Sequence, residues 1–277
     1  MLRQRLLTAL VLIPLVVAGV LGFATGPLAG VFAAIILLAG WEWAALAGLK
    51  GIPMRVAYLA LLGLLLLAVV PLATPVTAAL WLLGPVLGGW LLAAAWVLAY
   101  QRTAGARPAA PGPWALRLIG VAVLVPPWLA LVALHGSGAH GPWLVLFLLV
   151  LIWTADSGAY FAGRRWGRRK LAARVSPGKS LEGVAGALLL GGLFALAAGA
   201  GLGYAGPALA GFVLLGLVTV AVSVLGDLFE SLVKRYGAVK DSGGLLPGHG
   251  GVLDRIDSLT AAAPLFVVGL AWLGGAR

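Results

Sequence analysis

The sequence contains no cysteine, which excludes a disulfide framework, a thiol nucleophile and a thiolate metal site. Acid is nearly as scarce. Eight Asp and Glu stand against 19 Lys and Arg, and charged residues make up 10% of the chain, where a water-soluble domain carries about 25%. What fills the space is apolar: 62% of the 277 residues are hydrophobic, more than a water-soluble fold of this size can hide from solvent. The chain therefore reads as an all-α polytopic membrane protein. The net charge of +11 is no nucleic-acid signature, because the basic residues sit in short loops between apolar runs, where they face anionic headgroups and set orientation. The partner that composition implies is the lipid bilayer, and nucleic acid is not expected.

Nine stretches are long enough, or nearly so, to cross a hydrocarbon core of roughly 30 Å as helices. They lie near 6–24, 28–49, 56–73, 76–100, 115–134, 142–163, 182–202, 207–226 and 259–275. Met1–Gly26 resembles a secretory signal, but its apolar run is longer than the usual signal core and more spans follow, so it reads as an uncleaved first helix. Pro85 and the pair Pro126–Pro127 should kink their helices. Gly88/Gly89 and Gly183/Gly186 suggest close helix packing. The segment 101–113 reads as a loop.

The loops give an orientation. Lys50 and Arg55 follow the second span, Arg102 and Arg107 the fourth, seven basic residues from Arg164 to Lys179 the sixth, and Lys234, Arg235, Lys240 and Arg255 the eighth. The loops around Thr25, Pro75, His135–Gly141 and Gly203–Gly206 contain no Lys or Arg. This alternation predicts an N-terminus in the cytoplasm and a C-terminus outside, against which Arg277 is a weak exception. The location expected is the inner (plasma) membrane, with multiple passes and the reactive loops on the cytoplasmic side. Residues 1–150 read as a lipid-facing helical scaffold, and 151–277 as the helices that carry the catalytic loops.

With only eight acids, their placement is informative. Asp227, Glu230, Asp241, Asp254 and Asp257 fall in one window, while Glu42, Asp156 and Glu182 lie within or beside apolar runs, where ionisable groups are costly and point to function. If the eighth helix continues past Gly226, Asp227, Glu230, Ser231 and Lys234 share one face by their i, i+3, i+4 and i+7 spacing. Asp254 and Asp257 share a face at the start of the ninth. Between them lies PGHGG, whose Gly250 and Gly251 let backbone N–H groups approach an anion. Carboxylates from two helix ends, with lysines, arginines and a glycine-rich turn, are suited to holding a hard divalent cation together with a polyphosphate.

Ser231 to Asp257 resembles the signature of the phosphatidate cytidylyltransferase (CDP-diacylglycerol synthase) family, S-x-hydrophobic-K-R-x4-K-D, then L-P-x-H-G-G, then D-R-hydrophobic-D. Ser231, Lys234, Arg235, Lys240, Asp241, His249, Gly250, Gly251, Asp254, Arg255 and Asp257 fill its fixed positions. A second block, Asp156 to Arg164 followed by Val175 to Gly183, is similar to the family, as is the shorter Trp41-Glu42-Trp43-Ala44. The resemblance implies a multi-helix membrane enzyme, a homodimer, making CDP-diacylglycerol and pyrophosphate from CTP and phosphatidate. It also implies dependence on Mg2+, with a monovalent cation such as K+ sharing the site.

The residues suit that reaction. A phosphate monoester loses its second proton near pH 6, so phosphatidate is already a nucleophile at neutral pH. The difficulty is an anion attacking a highly anionic triphosphate, which calls for charge neutralisation and in-line positioning. Asp227 and Asp254 are the first choices as metal ligands, with Asp257 and Asp241 next, directly or through water. Lys234, Arg235, Lys240 and Arg255 are expected to neutralise CTP phosphates and departing pyrophosphate. Asp156, Ser176, Lys179, Ser231, His249, Gly250 and Gly251 are expected to bind substrate. Ser176-Pro177-Gly178-Lys179-Ser180 lacks the full phosphate-loop pattern and reads as a phosphate-contacting loop, with Lys179 and Ser176 its contacts. Glu182 reads as a helix-capping carboxylate or a ligand, and Glu42 as structural or lining the lipid route. The rival enzyme reading is a CTP-dependent lipid kinase of the polyprenol or phytol type, which would need a base beside an alcohol. A transporter would keep its acids near the midplane, often in repeated halves, and neither feature is visible.

Overall fold

The computed structural model describes residues 13–103, 110–244 and 250–274. The described chain is a bundle of α1 (Ile13–Gly22), α2 (Thr25–Leu46), α3 (Ile52–Val69, extended by a 3-10 turn Val70–Leu72), α4 (Val76–Arg102), α5 (Pro113–His135) and α6 (Gly141–Trp166). A short antiparallel hairpin of β1 (Lys170–Ala172) and β2 (Ser176–Ser180) leads to α7 (Leu181–Gly201), α8 (Gly206–Tyr236) and α9 (Leu253–Trp272). Helices α2 to α9, eight in all, are long and apolar enough to cross a membrane. The predicted first span, 6–24, falls partly outside the described residues, as do Arg3, Arg5, Arg107, His249 and Arg277.

The sides of the bundle expose Trp81, Leu91 and Leu189, a surface that only lipid or another apolar partner covers favourably. Helix α5 forms the centre, and from Val123 to His135 every residue is buried. Its neighbours satisfy their buried polar groups on it. Trp43 Nε1 donates to Leu116 O at 2.8 Å and Tyr58 Oη to Arg117 O at 3.0 Å, while Trp128 Nε1 on α5 donates to Ala29 O at 2.9 Å. His135 bridges α1 and α2: its Nε2 donates to Val20 O and its Nδ1 is hydrogen-bonded to the Thr25 hydroxyl, both at 2.9 Å. Pro85 and Pro126–Pro127 stay within unbroken helical segments.

Two glycine crossings bring the acidic residues together. Where α6 meets α7, a methyl group on Gly158 would strike the Gly186 carbonyl, and one on Gly183 would sit 3.1 Å from Ala159 O. Only small residues allow backbones to approach this closely, and in lipid such contact drives helix association. Where α8 meets α9, Gly226 packs on the Asp257 carbonyl and Ala261, setting Asp227 beside Asp257. Gly88 and Gly89, in contrast, face open space rather than a neighbouring helix.

Helix α8 runs ten residues beyond its predicted end. Its 31 residues make a rod of roughly 46 Å, longer than a hydrocarbon core of about 30 Å, so its polar last turns project past the apolar layer. Helix α9 begins at Leu253 rather than 259. The β-hairpin replaces the loop expected over Lys170–Ser180.

Candidate active site

The extension of α8 puts Asp227, Glu230, Ser231 and Lys234 on one face, as their spacing predicts, and α9 opposes it with Asp254 and Asp257. Ser231 Oγ donates to Asp227 Oδ1 at 3.3 Å. Lys234, buried, bridges two helices: its Nζ is 3.0 Å from Glu230 Oε1 and donates to Asp254 Oδ1 at 2.7 Å. Asp254 also accepts from the backbone N–H of Ser242 (3.2 Å) and of Gly251 (2.8 Å). The Gly251 N–H, expected to approach an anion, is thus engaged by a carboxylate of the fold. Gly250 takes φ +78° beside Asp254, a left-handed turn that glycine adopts without strain.

The hairpin delivers the other cation. Ser180 caps α7, its hydroxyl accepting from Gly183 N at 3.1 Å, and Glu182 accepts from the backbone N–H groups of Arg168 and Arg169 at 3.1 and 3.2 Å. Glu182 therefore braces the start of the hairpin. At its tip, Arg235 Nε donates to Val175 O at 2.9 Å, and Gln101 accepts from Arg174 N at 3.0 Å. Pinned at both ends, β2 lays Lys179 Nζ 2.6 Å from Asp227 Oδ2. Asp156, Tyr160, Gly178, Lys179, Asp227 and Ser258 line a shared cavity of about 230 Å³. Ser176 stands at the head of β2, paired with Ala172. Lys240 and Asp241 are exposed in the loop after α8. Arg255 is exposed and acts electrostatically on Asp156, while Asp257 acts on both Asp227 and Glu230.

Glu42 supports this site from the other half of the chain. Its buried carboxylate accepts from Ser242 Oγ (3.1 Å), Val252 N (3.1 Å) and Leu253 N (2.8 Å). It caps the first turn of α9, whose N–H groups have no partner within the helix, and ties down the loop that holds Asp254.

Five carboxylates (Asp156, Asp227, Glu230, Asp254, Asp257) lie close enough to one another and to Lys179, Lys234 and Arg255 to act on each other's charge. Among the described residues no three acids or histidines are already grouped to hold a metal ion. Yet both Glu230 oxygens are buried without a hydrogen bond of good geometry; Lys234 Nζ stands 3.0 Å from Oε1, and the Asp254 carboxyl is another polar neighbour. Buried carboxylate oxygens without a well-formed hydrogen bond, and oxygen donors throughout, are the chemistry that suits a hard divalent cation. Glu230 is the member of this cluster outside the expected site residues, although its i+3 spacing from Asp227 already placed it on the right face.

The sequence profile of the cytidylyltransferase family matches residues 3–273. A protein of Pseudomonas aeruginosa named phosphatidate cytidylyltransferase is 44% identical over 276 residues, 99% of this chain and 98% of that one. One of the same name from Haemophilus influenzae is 39% identical over 96% of this chain and 97% of its own length. A third, from Bacillus subtilis, is 44% identical over 48% of this chain and 49% of its own. With a family match running nearly end to end and the signature acids and lysines gathered at one end of the bundle, this chain belongs to the cytidylyltransferase family.

Proposed function

We propose that the chain is a phosphatidate cytidylyltransferase, forming CDP-diacylglycerol and pyrophosphate from CTP and phosphatidate. The observation that carries this reading is the cavity where Lys179 and Asp227 meet beside Asp156 and Ser258, in a chain with relatives of that name over its whole length. A lipid-phosphate oxygen forms a bond to the α-phosphorus of CTP, the bond from that phosphorus to the bridging oxygen breaks, and pyrophosphate leaves with the electron pair. The dianionic nucleophile needs no base. The protein has to hold two anions in line. Lys179, standing over the cavity, is placed to exchange Asp227 for a CTP phosphate. Lys240, Arg235, Ser176, Ser231, His249 and Gly250 are the further proposed nucleotide contacts. Lys234 sets the spacing of Glu230 and Asp254.

A magnesium ion, with a monovalent cation such as K+ beside it, is part of the proposal. Asp227 and Asp257 are its proposed ligands, with Asp254 and Asp241 reaching it through water or after rearrangement. Such an ion supplies neutralisation of the developing charge on the phosphoryl oxygens. The proposal also includes the cytoplasmic location of this end of the bundle, the inner membrane, a homodimer, and the division of labour between residues 1–150 and 151–277. The test is product analysis with purified protein. CDP-diacylglycerol and pyrophosphate formed in equal amounts from CTP and phosphatidate support the reading, and product formed from diacylglycerol in place of phosphatidate contradicts it.

A further inference from the structure

A second cleft, of about 180 Å³, opens between α1, α2, α5, α6 and α9. Phe32, Ile35, Leu131, Trp153 and Leu259 line it, and among the described residues the charged group in its wall is Arg255. We infer that this cleft seats the head-proximal stretch of an acyl chain of the phosphate-bearing lipid substrate, with Arg255 on its phosphate; the inference rests on the function proposed above. The wall is too apolar for a nucleotide triphosphate, whose polar surface would lose its water without compensation. A guanidinium at the edge of an apolar groove matches a molecule with a hydrocarbon body and an anionic phosphate head, which its planar fork can hold through two hydrogen bonds.

The register of two helices joins this cleft to the reactive cavity. On α6, Leu149, Trp153 and Asp156 follow one face at i, i+4 and i+7, the first two lining the apolar cleft and Asp156 the polar cavity. On α9, Arg255 and Leu259 line the cleft and Ser258 the cavity. Adjacent positions of the same two helices thus line both spaces, which therefore adjoin, with Arg255 near enough to Asp156 to act on its charge. A phosphate held by Arg255 lies next to the cavity in which Lys179 and Asp227 would hold the nucleotide. Arg255 is thereby assigned to the lipid phosphate, rather than to the CTP phosphates expected from its position in the signature. The larger apolar cavity of about 330 Å³ around Trp90, Trp96 and Phe229 lacks this relationship. Phe229 projects from α8 about 200° away from Asp227, behind the reactive face, and among the described residues no charged one lines that cavity.

The test uses the full chain in phosphatidylcholine nanodiscs, irradiated with a phosphatidate bearing a diazirine on its acyl chain and with CTP absent. Label is expected on peptides containing Phe32, Trp153 and Leu259, and it should fall several-fold with excess unlabelled phosphatidate but not with diacylglycerol. Arg255→Gln and Leu259→Trp should each raise the KM for phosphatidate by roughly tenfold while leaving the KM for CTP within about twofold. Label confined to the Trp90 and Phe229 cavity, label that diacylglycerol displaces equally, or variants that change only the CTP parameters would each overturn the inference. The labelling map on the unmodified chain decides the matter if a variant fails to fold. Failure of the underlying reading is distinct: it appears as an unmodified chain that makes no CDP-diacylglycerol.

Discussion

Lys179 Nζ lies 2.6 Å from Asp227 Oδ2 although 48 positions separate the two residues, one on a β-hairpin and the other on α8. In this pair the protein supplies its own counterion to a carboxylate that the proposed reaction requires. A polyphosphate arriving with a divalent ion can take both partners at once, the lysine going to phosphate and the carboxylate to metal. Asp227→Asn should therefore remove charge stabilisation of about 3 kcal/mol or more, lowering kcat/KM about a hundredfold or further. Lys179→Ala should act mainly on the KM for CTP, with Lys179→Arg restoring part of it. An Asp227→Asn protein with unchanged turnover at ordinary magnesium would show that the metal lies elsewhere.

Metal removal gives a second prediction. Dialysis against a chelator should abolish CDP-diacylglycerol synthesis, and added Mg2+ should restore it. Because the ion binds carboxylates that only the folded chain brings together, Mg2+ should also raise the apparent unfolding temperature of the unmodified protein. That shift should shrink in Asp257→Asn. Full activity in the chelated protein is the outcome that contradicts the proposed site.

Glu42 carries a third prediction. Replacing it with Ala leaves Val252 N, Leu253 N and Ser242 Oγ without their acceptor, at about 1–3 kcal/mol for each buried donor left unpaired. Glu42→Ala should lower the apparent midpoint of thermal unfolding in detergent by several degrees and increase hydrogen exchange at the start of α9. Glu42→Gln keeps one acceptor oxygen and should fall between the two. An unshifted midpoint in Glu42→Ala would refute the bracing role.

Orientation is open to labelling because the chain has no native cysteine. Single cysteines at the exposed positions Ala139 and Ala205 should react with an impermeant maleimide in intact cells. Cysteines at the exposed positions Ala173 and Val239 should react only after permeabilisation. The reverse pattern would place the reactive end of the bundle outside.

What was legible in the sequence was local. Apolar runs located the spans, and helical spacing placed Asp227, Glu230, Ser231 and Lys234 on one face. The Gly183/Gly186 pair announced the α6–α7 crossing. Hydropathy located the part of each helix that lipid surrounds, not the end of its hydrogen bonding. For that reason α8 outran its predicted end through Asp227 and Lys234, and α9 began earlier, at the polar turn holding Asp254. The β-hairpin gave little signal because Pro177 and Gly178, residues that weaken strands, lie within β2. Contacts between distant segments were not legible. Glu42 reaches Leu253 across 211 positions, and no spacing rule links Lys179 to Asp227.

The most direct measurement of the central claim follows the phosphorus atoms of CTP. Purified protein is given phosphatidate, Mg2+ and CTP labelled at either the α- or the γ-phosphate, and the lipid and aqueous products are separated. Attack of the lipid phosphate on the α-phosphorus places the α-label in the lipid and releases the γ-label in pyrophosphate, which is the result predicted. A lipid carrying the γ-label, with CDP released and no α-label incorporated, would contradict it and identify a CTP-dependent lipid kinase.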